Sequence, residues 1–308
     1  MKSICFFSSY FQQNKIPPYV KIYLEELCRH FSEVVLITNE KKLLDTEIKY
    51  LDKKNIKYLQ VVNEGFDFGM WYKAMKIYDV LQYDRIGLIN DSCILFKKLD
   101  ETFNWVNSGD WDYCGMVDSV EIAYHLQSYF IIINKNAILP IYNYFIQNGI
   151  GKNMQEVINL YEVGLSSYLI KNKLKLAARF HSPSIHNPSF FCVEQLIEQG
   201  IPLIKKKIIF KSFREEEYPN LIGKKFNIDP RYYVQLIKQK NAGTTIIDLD
   251  LLLKDVINID FFFRMFRFKF RDTCHSMIQF GYSLFSPSFK LFVKQLIHKK
   301  ATNSGKER

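Results

Sequence analysis

Short apolar runs alternate with helically spaced apolar positions along the first third of the chain. Ser3-Ile4-Cys5-Phe6-Phe7 has strand character. After a polar loop and Pro17-Pro18, the residues Val20, Tyr23, Leu24, Leu27 and Phe31 recur at the spacing of one helix face over residues 19–31. Val34-Val35-Leu36-Ile37 reads as a second strand, which completes a βαβ start. Residues 57–62 and 85–89 read as two further strands, separated by a helix over residues 71–81. Short buried strands in alternation with helices predict an α/β domain whose ligand crevice lies at the carboxyl ends of the strands. Beyond residue 110 the pattern is mixed. Strands are expected at 112–117 and 128–133, a strong helix at 155–170 and a shorter one at 193–198. No internal repeat and no low-complexity linker is visible.

Composition narrows the class. Hydrophobic residues make up 48% of the 308 and aromatics 16%, enough apolar material to offset the entropy of ordering the chain, so disorder is excluded as the main theme. The six Cys (5, 28, 93, 114, 192 and 274) show neither a C-x-x-C pair nor zinc-type spacing, so they read as reduced thiols in a cytosolic protein. Ser8-Ser9 cuts short the apolar run after Met1-Lys2, which argues against a secretory leader, and no window reaches the roughly 20 apolar residues of a spanning helix.

The net charge of +10 is unevenly placed. Residues 1–260 hold 32 Lys+Arg against 30 Asp+Glu, and residues 261–308 hold 10 against 2, so the body is near +2 and the tail near +8. A nucleic-acid binder would spread its basic surface over the folded domain, and no nucleic-acid partner is expected. In the tail, Phe261-Phe262-Phe263-Arg264-Met265-Phe266-Arg267-Phe268-Lys269-Phe270-Arg271 would, as a helix, gather Arg264, Arg267 and Arg271 on one arc with Phe around the rest. That pattern suits an anionic membrane surface, where apolar burial and charge attraction add. The expected organisation is therefore one domain over residues 1–250 and a basic, aromatic, membrane-associating helical extension over 251–308. The run Lys205-Lys206-Lys207 with Lys211, close to Glu215-Glu216-Glu217, reads as a solvated and self-compensating surface.

Polar groups at strand ends are the candidates for chemistry. In Asn63-Glu64-Gly65-Phe66-Asp67-Phe68-Gly69-Met70-Trp71 two glycines permit tight backbone geometry before a helix, where a phosphate could be received and Lys73 could add charge; Asp67 could instead cap the helix. The apolar strand Arg85-Ile86-Gly87-Leu88-Ile89 ends in Asn90-Asp91-Ser92, which would aim one carboxylate at a divalent metal bridging a diphosphate. The alternation in His125-Leu126-Gln127-Ser128-Tyr129-Phe130 offers amide and hydroxyl groups suited to a sugar. On the helix at 155–170, Val157, Ile158, Tyr161, Leu165 and Tyr168 form an apolar stripe bordered by Glu162, a carboxylate placed to act as general base. His181 and His186 lie in a Pro-rich loop that reads as a structural turn.

Taken in order, these segments resemble the rhamnan synthesis protein F family of bacterial polysaccharide glycosyltransferases. The likeness rests on Ile16-Pro17-Pro18-Tyr19-Val20, Asp67-Phe68-Gly69-Met70-Trp71, Asn90-Asp91-Ser92, His125-Leu126-Gln127-Ser128-Tyr129-Phe130, Glu156-Val157-Ile158 with Tyr161-Glu162-Val163, Asn187-Pro188-Ser189 and Ile201-Pro202-Leu203-Ile204-Lys205. It covers residues 1–205, and the order of the motifs makes it specific. The resemblance implies a GT-A-like, Rossmann-type mixed sheet flanked by helices. It implies transfer of a sugar, with rhamnose or another deoxysugar as candidate, from a UDP- or dTDP-sugar to a lipid-linked or cell-surface glycan. Asn63, Gly65, Asp67, Lys73, Asn90 and Ser92 would then line the donor site. Asp91 would stand at the D-x-D position as ligand to Mg²⁺ or Mn²⁺. His125, Gln127 and Ser128 would meet the acceptor or sugar. Glu162 would serve as base, with Asp118 second. The implied enzyme is cytoplasmic and peripheral on the inner membrane face, docked through residues 261–300. Two other classes compete: a non-catalytic glycan-binding or assembly subunit, and a nucleotidyl or phosphosugar transferase.

Overall fold

The computed structural model of the chain describes residues 1–11, 14–40, 42–182, 184, 186–211 and 217–226. The expected boundary at residue 250 and the membrane-docking extension lie outside the described residues. The first strand, β1 (Ser3–Ser9), is buried along its whole length, as expected of a near-continuous apolar run covered on both faces. Its alternation sorts the core. Ile4 and Phe6 join one apolar cluster, and Cys5 and Phe7 join the other.

The helix α1 (Pro18–Leu27), with Pro17 as its N-cap residue, returns the chain to β2 (Glu33–Thr38). The short helix α2 (Asp45–Lys53) precedes β3 (Ile56–Gln60). Helix α3 (Phe66–Ile77) then crosses to β4 (Arg85–Asn90), which pairs with the free side of β1. After β5 (Cys93–Leu95) and α4 (Asp100–Ser108) come β6 (Tyr113–Ser119), β7 (His125–Leu126), β8 (Phe130–Asn134) and α5 (Lys135–Asn148). A continuous helical stretch follows, α6 (Met154–Val157) passing through π-helical turns at Ile158–Gly164 into α7 (Leu165–Lys171). The remainder is β9 (Leu176–Phe180), α8 (Pro188–Phe191), α9 (Val193–Glu198), β10 (Leu203–Lys205), α10 (Lys206–Lys211) and α11 (Glu217–Phe226).

The main sheet has eight strands in the order β3-β2-β1-β4-β8-β6-β7, with β9 also pairing with β6. Strands β3, β2, β1 and β4 are parallel, while β8 runs antiparallel between β4 and β6. The fold class predicted from the sequence, a mixed α/β sheet flanked by helices, is the one observed. On one face α1 packs Val20, Tyr23, Leu24 and Leu27, with Phe103 and Val106 of α4. On the other, α3, α5 and the π-containing helix supply Trp71, Met75, Ile141, Phe145, Tyr161 and Leu165. A separate two-stranded unit, β5 with β10, is antiparallel and pairs Cys93 with Lys205.

The chain leaves β1 to one side for β2 and returns to the other side for β4. The carboxyl ends of β1 and β4 therefore open a crevice at the point where strand order reverses, the place where ligands bind in open α/β sheets. Among the described residues no helix is long and apolar enough to cross a membrane.

Candidate active site

The register places Ser8 of β1 directly beside Asn90 of β4, and the Asp91 backbone N–H donates to the Ser8 carbonyl at 3.2 Å. Helix α3 begins five residues before the expected Trp71, so Asp67 sits in its first turn instead of in a loop. The N-cap residue is Gly65, in the left-handed region at φ 69°, and Asp67 makes no cap bond. Its carboxylate reaches the sheet, where Oδ1 accepts from the Ser8 hydroxyl at 2.8 Å and Oδ2 from the Asn90 side-chain amide at 2.7 Å. Asn90 in turn uses its Oδ1 to accept from the Ser92 N–H and hydroxyl at 3.0 and 2.6 Å. Asp67, Asn90 and Ser92 thus form one bonded chain across the crevice.

Asp91 continues it. Its Oδ2 accepts from the Tyr19 hydroxyl at 3.1 Å and forms an ion pair with the Lys206 ammonium at 3.0 Å. Lys206 also donates to the Tyr19 oxygen at 2.9 Å, and Lys205 donates to the Ser92 hydroxyl at 3.3 Å while standing 4.6 Å above the centre of the Tyr129 ring. Lys205 and Lys206 correct the sequence reading of their run as solvated surface. Lys207 alone of the three is exposed. The signal that could have found them is the apolar strand Ile201-Pro202-Leu203-Ile204 leading straight into Lys205.

Burial pushes the Asp67 carboxyl up from its ordinary 3.8 to about 6; the Ser8 bond opposes this, Asp91 adds to it, and the two lysines oppose it. A carboxyl raised in the folded state favours folding while protonated, and that contribution is lost as pH climbs from the ordinary value through about 6. Asp67→Asn can keep both bonds, because the Ser8 hydroxyl can rotate to accept from the new amide. Relative to this variant, the native chain is expected to lose roughly 2–3 kcal/mol of stability between pH 4 and pH 8. Urea unfolding of both proteins at the two pH values checks it, and a pH-independent difference would mean that the carboxyl is not raised.

Glu162 reaches the same sheet edge from the π-helical turns. The Ser128 hydroxyl donates to its Oε1 at 2.5 Å, and the next residue's carbonyl, of Tyr129, accepts from the Asn90 N–H. Next to Glu162, Tyr161 stacks on Phe68 of α3 at 5.2 Å between centroids, which fixes the π-helical turns against the helix bearing Asp67. Helix α6 starts at an N-cap, where Asn153 Oδ1 accepts from the Glu156 N–H, and Glu156 Oε2 reaches back past the cap to accept from the Lys152 N–H. No direct bond joins Glu162 to Asp67 or Asp91 among the described residues.

Other predicted residues are placed differently. The Lys73 ammonium is held at 2.7 Å by both the Val62 carbonyl and Glu64, so it braces the loop after β3 in which Asn63 is exposed. His125 and Gln127 are buried in a relay. The His125 Nδ1 donates to the Ala123 carbonyl, its Nε2 accepts from Gln127, and Gln127 Oε1 accepts from Asn187. Asp118, at the end of β6, pairs with His181 Nδ1 at 2.7 Å. The His186 N–H donates to the Ser184 hydroxyl within a turn.

The donor set does not fit a divalent metal at Asp91. Asp91 Oδ2 already meets an ammonium and a phenol, and both oxygens of Asp67 accept hydrogen bonds. Among the described residues, Glu26, His30 and Asp100 do approach closely enough to hold an ion. They lie near the opposite edge of the sheet, and the Arg29 guanidinium bonds both carboxylates.

A family model described as rhamnan synthesis protein F matches residues 34–262. No curated protein matches the chain. Among solved structures, the chain is similar to 4-diphosphocytidyl-2C-methyl-D-erythritol synthase from Anaerococcus prevotii DSM 20548, at 11% identity and TM-score 0.41 over 60% of this chain and 89% of that one. It is also similar to a cytidylyltransferase from Leptospira borgpetersenii serovar Hardjo-bovis, at 16% and 0.37 over 80% and 99%. The glycosyltransferase GlyE of Streptococcus pneumoniae TIGR4 stands at 13% and 0.40 over 73% and 63%. Likenesses this distant carry no argument about chemistry.

Proposed function

We propose, because this chain belongs to the rhamnan synthesis protein F family, that it is a glycosyltransferase. It moves a sugar, with rhamnose or another deoxysugar as the candidate, from a nucleoside diphosphate donor to a lipid-linked or cell-surface polysaccharide. The observation that supports this reading best is the bonded chain Ser8, Asp67, Asn90, Ser92 and Asp91 at the strand-order reversal, with two lysines on it. A leaving diphosphate needs positive charge and hydroxyl donors at that edge.

Glu162 is the proposed base. In an inverting displacement it takes the proton of the acceptor hydroxyl, and the freed oxygen pair bonds the anomeric carbon. The bond to the diphosphate oxygen breaks on the opposite face and leaves its electron pair with the nucleoside diphosphate. Ser128 orients the carboxylate for that role. The proposed place of work is the inner membrane face, held by residues 261–300, because a lipid-linked acceptor is met there.

The test incubates the purified chain with UDP- and dTDP-sugars and a glycan acceptor, with and without anionic vesicles. Nucleoside diphosphate release that depends on acceptor is expected, together with cosedimentation of the chain with the vesicles. Pyrophosphate release would instead establish nucleotidyl transfer. Donor binding without turnover would establish an assembly subunit. A chain that stays in the soluble fraction would overturn the surface proposal alone.

A further inference from the structure

We infer that the ammonium groups of Lys205 and Lys206 neutralise the donor's diphosphate in place of a divalent cation. The inference rests on the glycosyltransferase reading and adds the means by which its leaving group is held. In the D-x-D arrangement a metal bridges carboxylate and diphosphate. Here the carboxylate of Asp91 is bridged instead by Lys206, at 3.0 Å.

The chain builds this position deliberately. Consecutive side chains of a strand point to opposite faces, but β10 ends at Lys205 and α10 begins at Lys206, so both side chains can reach the same edge. The backbone is held without their help. Strand β10 pairs with β5, and the Lys206 N–H donates to the Ser92 carbonyl at 2.9 Å. The ammonium groups are therefore not needed to pin the segment. Their side chains converge on two successive residues, Lys206 on Asp91 and Lys205 on Ser92.

An ammonium has three donors. Among the described residues, Lys206 gives one to Asp91 and one to Tyr19, and Lys205 gives one to Ser92, so each keeps capacity for a phosphate oxygen. The Tyr129 ring beneath Lys205 holds that cation by its face without consuming a donor. Asp91 then acts as a positioning residue that keeps Lys206 in the crevice, and it repels the diphosphate.

This assignment predicts a sign that a metal site reverses. Isothermal titration of the whole 308-residue chain with UDP, dTDP, GDP and ADP, in EDTA and in Mn²⁺, provides the test. At least one nucleotide is expected to bind in EDTA, with Mn²⁺ changing its affinity by less than about threefold. Lys206→Ala and Lys205→Ala should each weaken binding in EDTA by about tenfold or more, the scale of one charge-assisted hydrogen bond. Asp91→Asn should keep or tighten binding in EDTA, because its amide oxygen can still accept from Lys206 while the charge that repels the diphosphate is gone. At a metal site the same change would abolish the Mn²⁺-dependent binding; this near-isosteric variant decides the matter even where a lysine variant fails to fold. Binding that requires Mn²⁺, or lysine variants that bind like the native chain, would overturn the inference and leave the glycosyltransferase reading standing. Absence of binding by all four nucleotides in both conditions would bring down the reading itself.

Discussion

Replacing Glu162 by Gln should lower turnover by about 10²–10⁴-fold, the range expected for loss of a positioned general base. Donor affinity should stay within about twofold of the native value, since an interaction made only in the transition state affects kcat and not ground-state binding. The substitution is well suited to the site. Gln preserves the length of the side chain, and its amide oxygen can still accept the Ser128 hydroxyl that now bonds Oε1 at 2.5 Å. What it loses is the capacity to take a proton. Ser128→Ala should have a smaller effect in the same direction, because the carboxylate would remain but lose its orientation. Steady-state kinetics paired with nucleotide titration reads both quantities. Unchanged turnover would move the base elsewhere, with Asp118 at the end of β6, paired with His181, as the next candidate.

The helical setting of Glu162 matters to this expectation. The apolar positions Val157, Tyr161, Leu165 and Leu169 are all buried and spaced by four, a spacing that π-helical turns keep on one face. Gly164 allows the wider turn, since a Cβ there would lie 2.5 Å from the Asn159 carbonyl oxygen and 2.9 Å from the Tyr144 hydroxyl. Departures of this kind from α-helical geometry recur at functional sites. The sequence pattern predicts the helix and three members of its buried stripe, Val157, Tyr161 and Leu165. It also places Ile158 and Tyr168, which are only partly buried, in that stripe and misses Leu169. It does not predict the π turns, because both windings place residues four apart on nearly the same side.

The legible part of the fold is the part set by local pattern. β1, β2 and β4 are read from apolar runs because both their faces are covered, and α1 from its helical spacing behind Pro17. Helix α5 is not signalled, and Pro140 lies inside it. The candidate site divides in the same way. Asn90, Asp91 and Ser92 are visible as polar groups ending an apolar strand. Lys205 and Lys206 are not, because their nearness to Ser92 and Asp91 is created by the pairing of β5 with β10 across more than a hundred residues. No local window contains such a contact. His125 and Gln127 mislead in the opposite direction: their polar chemistry suits a sugar, yet it is spent on the buried relay to Asn187.

Gly69→Ala should destabilise the chain by about 3 kcal/mol or more, although helix propensity alone predicts a gain of about 1 kcal/mol. Gly69 lies in the first turns of α3 and its N–H donates to the Gly65 carbonyl at 3.0 Å. A Cβ on it would come to 1.7 Å from the carbonyl oxygen of Glu64 and 2.8 Å from the carbonyl carbon. Those are backbone atoms, so no side-chain rotation relieves the clash. Nor can the loop easily retreat. Gly65 is already in the left-handed region at φ 69°, its own added Cβ would meet Ile150 at 2.5 Å, and Lys73 ties Glu64 and the Val62 carbonyl to the helix. The strain must therefore displace the start of α3, which carries Asp67 and its bonds to Ser8 and Asn90. Loss of stability should thus come with weakened donor binding. Gly149→Ala is the control: nothing lies within 4 Å of an added Cβ there, but φ 68° with ψ −142° is a backbone region kept almost wholly for glycine, so a purely conformational penalty of about 1–3 kcal/mol applies, with donor binding intact. Urea unfolding and nucleotide titration of the two variants separate steric displacement from backbone strain. A Gly69→Ala protein as stable as the native one would mean that the loop after β3 does not press on α3, and with it would go the reason Asp67 is held against the sheet.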